Sequence, residues 1–399
     1  MQSVSFWCLF ALNIGLSAIT FLYAAELFAA LVPGRRRSDA VKQARPHAAV
    51  LVPAHDEEAV LAGSLAAIRA ALADGDRLVV IADNCTDQTA RIAAAAGAEV
   101  VERNDPVHRG KGYALDAGMQ YLASAPPSVV VLIDADCFPA PDAVERLVET
   151  AVQTGRPVQS LYLMTAPADA AIPVKVAEFT FMLKNKVRQR GLHRLGLPCH
   201  LTGSGMAFPW QTLNGLHLAH GHLVEDMKMG LELAVAGSGP VFCEEAVVLS
   251  PFPQTATGLQ SQRRRWIGGH LTLIAGALVS VPRALARGNI AGAFAALATA
   301  IPPLTVLAAL LVASLLVTTV ATWGLQPDLL PWGLSVLNIT LFLVATLSAW
   351  LAFGRAILPA EDLGRAVVLV ASRMLKAPFA FFAARRDGWI RTDRRGSGD

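Results

Sequence analysis

The sequence predicts an α/β domain with a mainly parallel sheet, carried by membrane helices that lie on both sides of it in the chain. Three observations predict this class. Short apolar runs alternate with helical segments between residues 45 and 147, long apolar runs stand before and after that region, and only 16% of the 399 residues are charged. Soluble domains carry about 25% charged residues, so the composition excludes a wholly soluble protein and indicates a membrane protein with a large polar domain.

The first apolar run covers residues 6–32 and is followed by three arginines at 35–37. It is long enough to cross a hydrocarbon core of about 30 Å. A cleaved signal peptide carries its positive charges before the apolar segment, so the reversed order predicts a retained transmembrane anchor over residues 1–34. The arginines belong on the cytoplasmic side. Glu26 lies near the end of the run, where a position in the interface or against other helices is tolerable.

The next region, residues 46–266, is predicted to be a cytoplasmic α/β domain. Buried strands that alternate with helices favour a parallel sheet covered on both faces. In such sheets ligands bind beyond the carboxyl ends of the strands. The predicted strands are residues 48–53, 77–82, 99–102 and 129–133, and the predicted helices are residues 59–73, 90–96 and 113–123.

Apolar chain also follows the predicted domain. Two spans predict a transmembrane hairpin within residues 294–353, and the arginines that flank it fall on the cytoplasmic side. Residues 267–290 and 354–399 contain shorter or interrupted apolar stretches, which predict helices lying in the interface, the second followed by a cytoplasmic basic tail. A fourth crossing is the alternative at either place, and the first would reverse the hairpin.

Charge and cysteine content bound the partners. Lysine and arginine number 34 and aspartate and glutamate 31, a net charge of +3, which is too even to indicate nucleic acid binding. The five cysteines include no Cys-x-x-Cys pair, which favours unpaired thiols in a reducing compartment. Residues 246–327 contain arginines but no aspartate or glutamate, a pattern that suits the surface of an anionic leaflet.

Polar side chains follow the predicted strands at their carboxyl ends. Asp134 and Asp136 come directly after the fourth strand and point the same way if the chain stays extended. Two such carboxylates suit Mg²⁺ or Mn²⁺ together with substrate phosphates, and an Asp-rich turn is the alternative for this pair alone. The segment 83–89 offers carboxylates for a base or sugar, and the segment 108–112, with Lys111, offers a cation and flexible backbone for a diphosphate.

These residues and two later motifs resemble one family, the family 2 glycosyltransferases with a GT-A fold, especially the membrane-bound branch that includes cellulose, chitin and hyaluronan synthases. The resemblance covers roughly residues 46–270. Residues 224–226 are similar to that family's Thr-Glu-Asp motif, with Val224 in place of threonine, and residues 262–266 are similar to its Gln-x-x-Arg-Trp motif. The implied fold is a GT-A domain, a Rossmann-like α/β fold with a mainly parallel sheet.

The resemblance also implies a role for each matching residue. A divalent metal, Mg²⁺ or Mn²⁺, is expected at the aspartate pair, and one carboxylate is expected to act as general base. The nucleotide-sugar donor is expected at Pro53, Glu57, Asp83, Lys111, Asp134 and Arg265, the metal at Asp134 and Asp136, the general base at Asp226, and the acceptor at Glu225, Gln262 and Trp266.

Three further segments leave two interpretations open. Residues 201–208 form a glycine loop running into a strand, which either borders the acceptor, as in the family, or is a plain tight turn. One of several histidines either supplies another metal ligand or all are ordinary: His200, His217, His220 and His222. A basic stretch either approaches anionic lipid or a lipid diphosphate, or is a solvated helix face: Lys184, Lys186, Arg188, Arg190 and Arg194.

The implied activity is inverting transfer of a hexosyl or N-acetylhexosaminyl group from a UDP-sugar to a lipid-linked or saccharide acceptor, in exopolysaccharide or glycolipid biosynthesis. The implied location is a bacterial inner membrane, crossed several times, with the catalytic domain cytoplasmic. Membrane lipid and a polysaccharide export or assembly protein are the implied partners. The alternatives are a processive β-polysaccharide synthase, a membrane nucleotidyltransferase and a non-catalytic scaffold.

Overall fold

The computed structural model describes residues 4–34, 45–167, 169–219, 224–253, 255–324 and 329–383. The chain divides into two compact units. The helical unit consists of residues 1–34, 167–197 and 270–386, and the sheet unit of residues 35–166, 198–269 and 387–399. The arginines at 35–37, His220, His222 and the tail from residue 384 lie outside the described residues.

The elements run in chain order as follows. The first half contains α1 (Val4–Leu31), β1 (Ala48–Ala54), α2 (Leu61–Ala70), β2 (Arg77–Asp83), α3 (Thr89–Ala95), β3 (Glu99–Arg103), α4 (Lys111–Leu122), β4 (Val129–Leu132), β5 (Phe138–Pro139), α5 (Ala143–Thr154), β6 (Val158–Thr165), α6 (Ile172–Met182), a π-helical segment (Leu183–Arg188) and α7 (Gln189–Arg194). The second half contains β7 (Met206–Pro209), α8 (Trp210–Asn214), α9 (Glu225–Val235), β8 (Val241–Pro251), α10 (Ala256–Ala286), α11 (Ile290–Ala300), α12 (Leu304–Gly324), α13 (Leu329–Ala349), a π-helical segment (Trp350–Gly354), a 3₁₀ turn (Ala360–Asp362) and α14 (Leu363–Ala383).

Within the described residues, the sheet unit contains one eight-stranded sheet in the order β3-β2-β1-β4-β7-β6-β8-β5. Strands β3, β2, β1 and β4 are parallel, and they match the four strands that the sequence predicts. Strand β7 is antiparallel to both β4 and β6, β8 is parallel to β6, and the short β5 is antiparallel to β8. The sheet is therefore parallel in its first half and mixed in its second.

The parallel half of the sheet is built from apolar strands, whose side chains are buried on both faces of the sheet. Leu51 of β1 pairs with Val79 and Leu132 in register, and all three are buried with Phe208 of β7. Truncating an aromatic side chain of this kind to alanine costs about 3–5 kcal/mol. The same register brings the carboxyl ends of β1, β2 and β4 to one edge of the sheet, which is where the predicted polar residues lie.

The helical unit is held by polar contacts between helices as well as by apolar packing. Arg188 Nε donates to Glu26 Oε2 at 2.5 Å, and an Arg188 Nη donates to the Ala298 carbonyl at 3.0 Å. Asn13 Oδ1 accepts hydrogen bonds from Ser314 Oγ at 3.0 Å and Ser335 Oγ at 2.7 Å. Glu26 is fully buried, so its charge is compensated by a cation from another helix, as a carboxylate in an apolar run requires.

Among the described residues, four helices are long and apolar enough to cross a membrane by length and composition: Trp7–Leu31, Thr257–Ala286, Leu304–Gly324 and Leu329–Gly354. The sequence predicts three of these spans and an interfacial helix over residues 267–290. The fourth, α10, has the length and composition required by the alternative of a fourth crossing. The first arm of the predicted hairpin is interrupted. Pro302 and Pro303 lie between α11 and α12. They separate the two helices because proline has no N–H to continue a helix.

Candidate active site

The loops after β1 and β2 hold each other at the carboxyl edge of the sheet. The backbone N–H of Thr86 donates to Asp56 Oδ1 at 2.7 Å, and the backbone N–H of Glu58 donates to Asp87 Oδ2 at 3.1 Å. The backbone N–H of Glu57 donates to Thr89 Oγ1 at 2.8 Å. Glu57, which is predicted to bind the nucleotide-sugar donor, therefore lies in a loop whose backbone is held by side chains of the loop after β2. Pro53 lies close by, near the end of β1.

Asp83 ends β2 and is nearly buried, with 6% of its surface exposed. Its Oδ1 accepts hydrogen bonds from an Arg103 Nη at 2.6 Å and from Asn84 Nδ2 at 2.9 Å. The Arg103 guanidinium also lies 5.6 Å from the centroid of the Tyr113 ring. This ion pair holds the Asp83 carboxylate in one place, with an arginine beside it that the sequence analysis does not include.

Lys111 begins α4 and joins two parts of the sheet edge. Its Nζ donates to Asp134 Oδ1 and, at 2.5 Å, to the carbonyl oxygen of Gly203. Burial lowers the pKa of Lys111, but the negative charges of Asp134 and Glu225 outweigh it, so the pKa is raised above its ordinary value. The ammonium is thus permanently charged, as a group that neutralises a diphosphate must be.

The aspartate pair after β4 has the donor set of a divalent metal site. Among the described residues, ligand atoms of Asp134, Asp136 and Cys137 lie within 4.8 Å of one another. Burial, with the charges of Asp136 and Asp134, raises the pKa of the Cys137 thiol well above its ordinary value, and a thiol is a softer ligand than the oxygen atoms that Mg²⁺ and Mn²⁺ prefer. Asp136 is 7% exposed, and its Oδ2 accepts from Ser250 Oγ at 3.0 Å. Two carboxylates, one of them oriented by a hydroxyl, fit Mg²⁺ or Mn²⁺.

The glycine loop before β7 lies against Asp226. A Cβ atom at Gly203 would stand 3.3 Å from Asp226 Oδ2, and Gly203 has a φ of +96°. The next residue, Ser204, accepts at its Oγ a hydrogen bond of 3.1 Å from the Asp134 backbone N–H. The loop formed by residues 201–208 therefore lies beside Asp134 and Asp226, and its contact with the acceptor stays a prediction.

Glu225 and Asp226 form the first turn of α9. Burial is the main cause that raises the pKa of Glu225 from 4.5 to about 7, and the charge of Asp226 raises it further, while Lys111 opposes both. A raised pKa means that Glu225 holds its proton up to higher pH than an exposed glutamate does.

Gln262, Arg265 and Trp266 lie on α10 with spacings of three and four residues, which place them on one face of the helix. Gln262 is buried, and its Oε1 has no hydrogen-bond partner among the described residues. Strands β1, β2 and β4 place their following loops at one edge of the sheet, and Lys111 and Gly203 connect Asp134 to Asp226. The roles of Gln262, Arg265 and Trp266 stay predictions.

Sequence patterns do not assign a role to Arg103, Ser204 or Ser250. Arg103 ends β3, so its position at a strand end was a usable signal. Ser204 stood inside the recognised glycine loop. Ser250 contacts Asp136 across a separation of 114 residues, and nothing local to Ser250 distinguishes it from any other strand serine.

Comparisons with known proteins identify the family of the chain. A family model described as "Glycosyltransferase like family 2" matches residues 46–269, more than half of the chain. The chain is 25% identical over 265 residues to "Probable glucomannan 4-beta-mannosyltransferase 10" of Arabidopsis thaliana, an alignment that covers 60% of this chain and 45% of that protein. It is 39% identical over 94 residues to glucosyl-3-phosphoglycerate synthase of Mycolicibacterium paratuberculosis, covering 22% of this chain and 27% of that one. The matches thus span less than half the length of these relatives.

Two solved structures are similar in part. The mannosyltransferase PcManGT from Pyrobaculum calidifontis, in complex with GDP-Man and Mn²⁺, has a TM-score of 0.49 at 18% identity and covers 92% of this chain and 99% of its own. Glucosyl-3-phosphoglycerate synthase from Mycobacterium tuberculosis, in complex with Mn²⁺, UDP and phosphoglyceric acid, has a TM-score of 0.40 at 25% identity and covers 57% and 78%. On the match over residues 46–269, the predicted α/β GT-A class is confirmed, and the chain belongs to the glycosyltransferase-like family 2.

Proposed function

We propose that this protein is an inverting membrane glycosyltransferase that transfers a sugar from a nucleotide-sugar, with UDP-sugars preferred, to a lipid-linked or saccharide acceptor. One observation carries the proposal. The loop carbonyl of Gly203 accepts from Lys111 while Gly203 itself packs against Asp226. A cation for the leaving diphosphate and a carboxylate for the acceptor hydroxyl are thereby attached to the same short loop.

The proposed reaction uses these residues in one displacement. Asp226 accepts the proton of the acceptor hydroxyl as that oxygen attacks the anomeric carbon. The bond to the diphosphate breaks at the opposite face, and Lys111 and Arg265 stabilise the negative charge that grows on the leaving group. Because there is one displacement, an α-linked donor gives a β-glycoside.

Asp134 and Asp136 would hold Mg²⁺ or Mn²⁺, which when bound supplies Lewis-acid neutralisation of diphosphate charge. The donor chemistry of the pair supports this assignment, and so do the Mn²⁺ complexes of the similar structures. Ser250 fixes the orientation of Asp136 through its hydroxyl. The Asp83–Arg103 pair offers an acceptor and a donor for the polar edge of the base, with Pro53 and Glu57 in the neighbouring loop.

Acceptor binding is assigned to Glu225, Gln262 and Trp266. The apolar helices support a membrane enzyme, and the acid-free arginine-containing segment supports a cytoplasmic face for the catalytic residues. We therefore place the protein in a bacterial inner membrane, in exopolysaccharide or glycolipid biosynthesis, alongside an export or assembly partner.

The test is sugar transfer by the purified full-length protein in bilayers. UDP- and GDP-sugars would be offered with Mg²⁺ or Mn²⁺ and with lipid or saccharide acceptors, and products would be sized by chromatography. Asp226→Asn should abolish transfer while donor binding persists, and Glu232→Gln, on the exposed face of the same helix, is the matched control. Turnover by Asp226→Asn, or an α-linked product from an α-linked donor, would overturn the mechanism. No product with any donor would instead support a scaffold.

A second candidate is a processive β-polysaccharide synthase. It is favoured by the motif from Gln262 to Trp266 and by the match to the plant protein named as a glucomannan mannosyltransferase. Product length separates the two. A short, organic-extractable product identifies single addition to a lipid carrier, and a long water-soluble polymer identifies a synthase.

A further inference from the structure

Gln159 is a fully buried residue of β6, and its side-chain amide lies beside the glycine loop of residues 201–208. Its Oε1 accepts a hydrogen bond of 2.8 Å from the Thr202 backbone N–H, and its Nε2 donates to the Ser204 carbonyl at 2.9 Å. Nε2 also donates to the Ser160 carbonyl at 3.1 Å. Burying an amide is costly unless its polar atoms are hydrogen-bonded, and both ends of this side chain meet that requirement.

The Gln159 amide takes the place of strand pairing at this part of the loop. Strand β6 pairs with β7 at Val158–Ala207 and at Gln159–Met206, and β7 begins at Met206. The two loop groups that precede β7, an N–H and a carbonyl, bind the side chain of a β6 residue instead of the β6 backbone. The loop is therefore held against the sheet without unpaired backbone groups at these two positions.

The two hydrogen bonds lie on either side of Gly203. Gly203 has a φ of +96° and no Cβ atom, so the residue itself does little to restrict its backbone conformation. The Thr202 N–H precedes it and the Ser204 carbonyl follows it, and a single planar amide binds both groups. Gln159 therefore restricts the direction in which the Gly203 carbonyl points.

The direction of the Gly203 carbonyl affects several contacts of the candidate site. This carbonyl accepts from Lys111 Nζ at 2.5 Å, and a Cβ atom at Gly203 would stand 3.3 Å from Asp226 Oδ2. Lys111 also donates to Asp134 Oδ1, and Ser204 Oγ accepts from the Asp134 backbone N–H at 3.1 Å. A shift of the loop would change all of these contacts together, and a misplacement of about 1 Å costs about 10²-fold in rate.

We propose that Gln159 is a positioning residue for sugar transfer. Its amide holds the glycine loop so that the Gly203 carbonyl faces Lys111 and the loop packs against Asp226. Gln159 acts through the loop and not by contact with donor or acceptor. This role rests on the proposed function, and it adds to that function a buried residue of β6 that lies outside the motifs of the sequence analysis.

The test compares variants of the full-length protein in bilayers by steady-state sugar transfer and by hydrogen–deuterium exchange. Gln159→Met keeps the length of the side chain and removes both hydrogen bonds to the loop. Its kcat should fall at least about tenfold, while the KM for the donor changes less than about threefold, because the loop is misplaced and the nucleotide-binding residues are not. The peptide that contains Thr202 should exchange faster, since its N–H loses its acceptor.

Two further variants serve as controls. Gln159→Glu keeps an oxygen that accepts from the Thr202 N–H, and burial favours its neutral acid, whose O–H can donate to the Ser204 carbonyl. It should retain more of the wild-type kcat than Gln159→Met, and it keeps the test decisive if Gln159→Met fails to fold. Thr150→Val removes a buried hydroxyl of α5, elsewhere in the sheet unit. It should leave both kcat and the exchange of the loop peptide unchanged.

The outcomes separate this role from the proposed function. If the wild type transfers sugar and Gln159→Met retains its kcat, or raises only the donor KM, the positioning role is wrong and the proposed function stands. Unchanged exchange of the Thr202 peptide in Gln159→Met would show that the amide does not hold the loop. If the wild type transfers no sugar from any donor, the proposed function fails, and faster exchange alone would then identify Gln159 as a structural clamp with no part in transfer.

Discussion

Substituting Gly203 by alanine tests whether the position of the proposed base, Asp226, affects the transfer rate. The effect on the stability of the sheet unit can be measured separately, because the chain contains a matched control. Gly203 and Gly237 both have a φ of +96° and both belong to the sheet unit. A Cβ atom at Gly203 would stand 3.3 Å from Asp226 Oδ2, whereas one at Gly237 would have nothing within 4 Å. The two alanine variants thus share a backbone strain and differ in one contact.

The magnitudes follow from this difference. A non-glycine residue with positive φ costs about 1–3 kcal/mol, so both variants should lower the thermal midpoint by a similar few degrees. The Gly203→Ala methyl group also forces the Asp226 carboxylate to shift by a few tenths of an ångström. A misplacement of about 1 Å costs about 10²-fold in rate, so we expect a loss in kcat of about tenfold for Gly203→Ala and little loss for Gly237→Ala.

The assay is steady-state sugar transfer, together with thermal unfolding of both variants. It uses the donor and acceptor identified by offering UDP- and GDP-sugars with lipid or saccharide acceptors. Equal midpoints with unequal kcat would support Asp226 as the base held by the loop. Equal kcat values would refute the reasoning, because the loop contact would then have no bearing on transfer. Unequal midpoints with a matching loss of active protein would attribute the effect to folding.

Three further changes test other parts of the site. Lys111→Gln removes the ammonium that contacts Asp134 and the Gly203 carbonyl, and should lower kcat about 10²–10³-fold, as measured in steady-state transfer. Lys228→Gln removes a half-buried cation on α9 that pairs with Glu232 and is its control, and equal losses would contradict a specific role. Ser250→Ala removes the hydroxyl that donates to Asp136 and should weaken Mn²⁺ binding about tenfold or more, as measured by isothermal titration with the apoprotein; unchanged affinity would contradict the orienting role. Glu225, with its pKa raised from 4.5 to about 7, binds a proton in the folded protein that the unfolded chain has released, so stability should fall as pH rises from about 4.5 to 7. Thermal unfolding across that range should show this slope in the wild type and a smaller one in Glu225→Gln; identical slopes would contradict it.

The part of the site that could be predicted from the sequence is the part built from local pattern. Strands β1 to β4 are short apolar runs, and parallel pairing brings their carboxyl ends together, so Asp83 and Asp134 fell at one edge by geometry alone. The glycine loop and Asp226 are singled out by motifs, and the role of Asp226 stays a prediction. Local patterns do not reveal the pairing of distant strands. Strand β7 lies antiparallel beside β4, and this pairing places Ser204 next to Asp134.

The membrane part shows a different limit. The average hydropathy of residues 294–322 predicts one crossing. An average does not show the effect of two adjacent prolines, which separate α11 from α12, so that α12 begins only at Leu304. Burial of Glu26 is likewise decided by its partner Arg188, a residue 162 positions away. The sequence analysis treated Arg188 as one of several basic side chains, because spacing along a helix does not reveal which member of a basic stretch pairs with a buried acid.

The contacts of Lys111 link the proposed donor side of the site to the proposed acceptor side. Its ammonium binds a carboxylate of the metal pair and, through the Gly203 carbonyl, the loop that packs against Asp226. A change in charge at Asp134, such as neutralisation by a cation, would weaken the attraction of Lys111 for that carboxylate and leave the ammonium more strongly engaged with the diphosphate and the loop. In the proposed mechanism, Asp226 would therefore be positioned by a loop whose contact with Lys111 depends on donor binding.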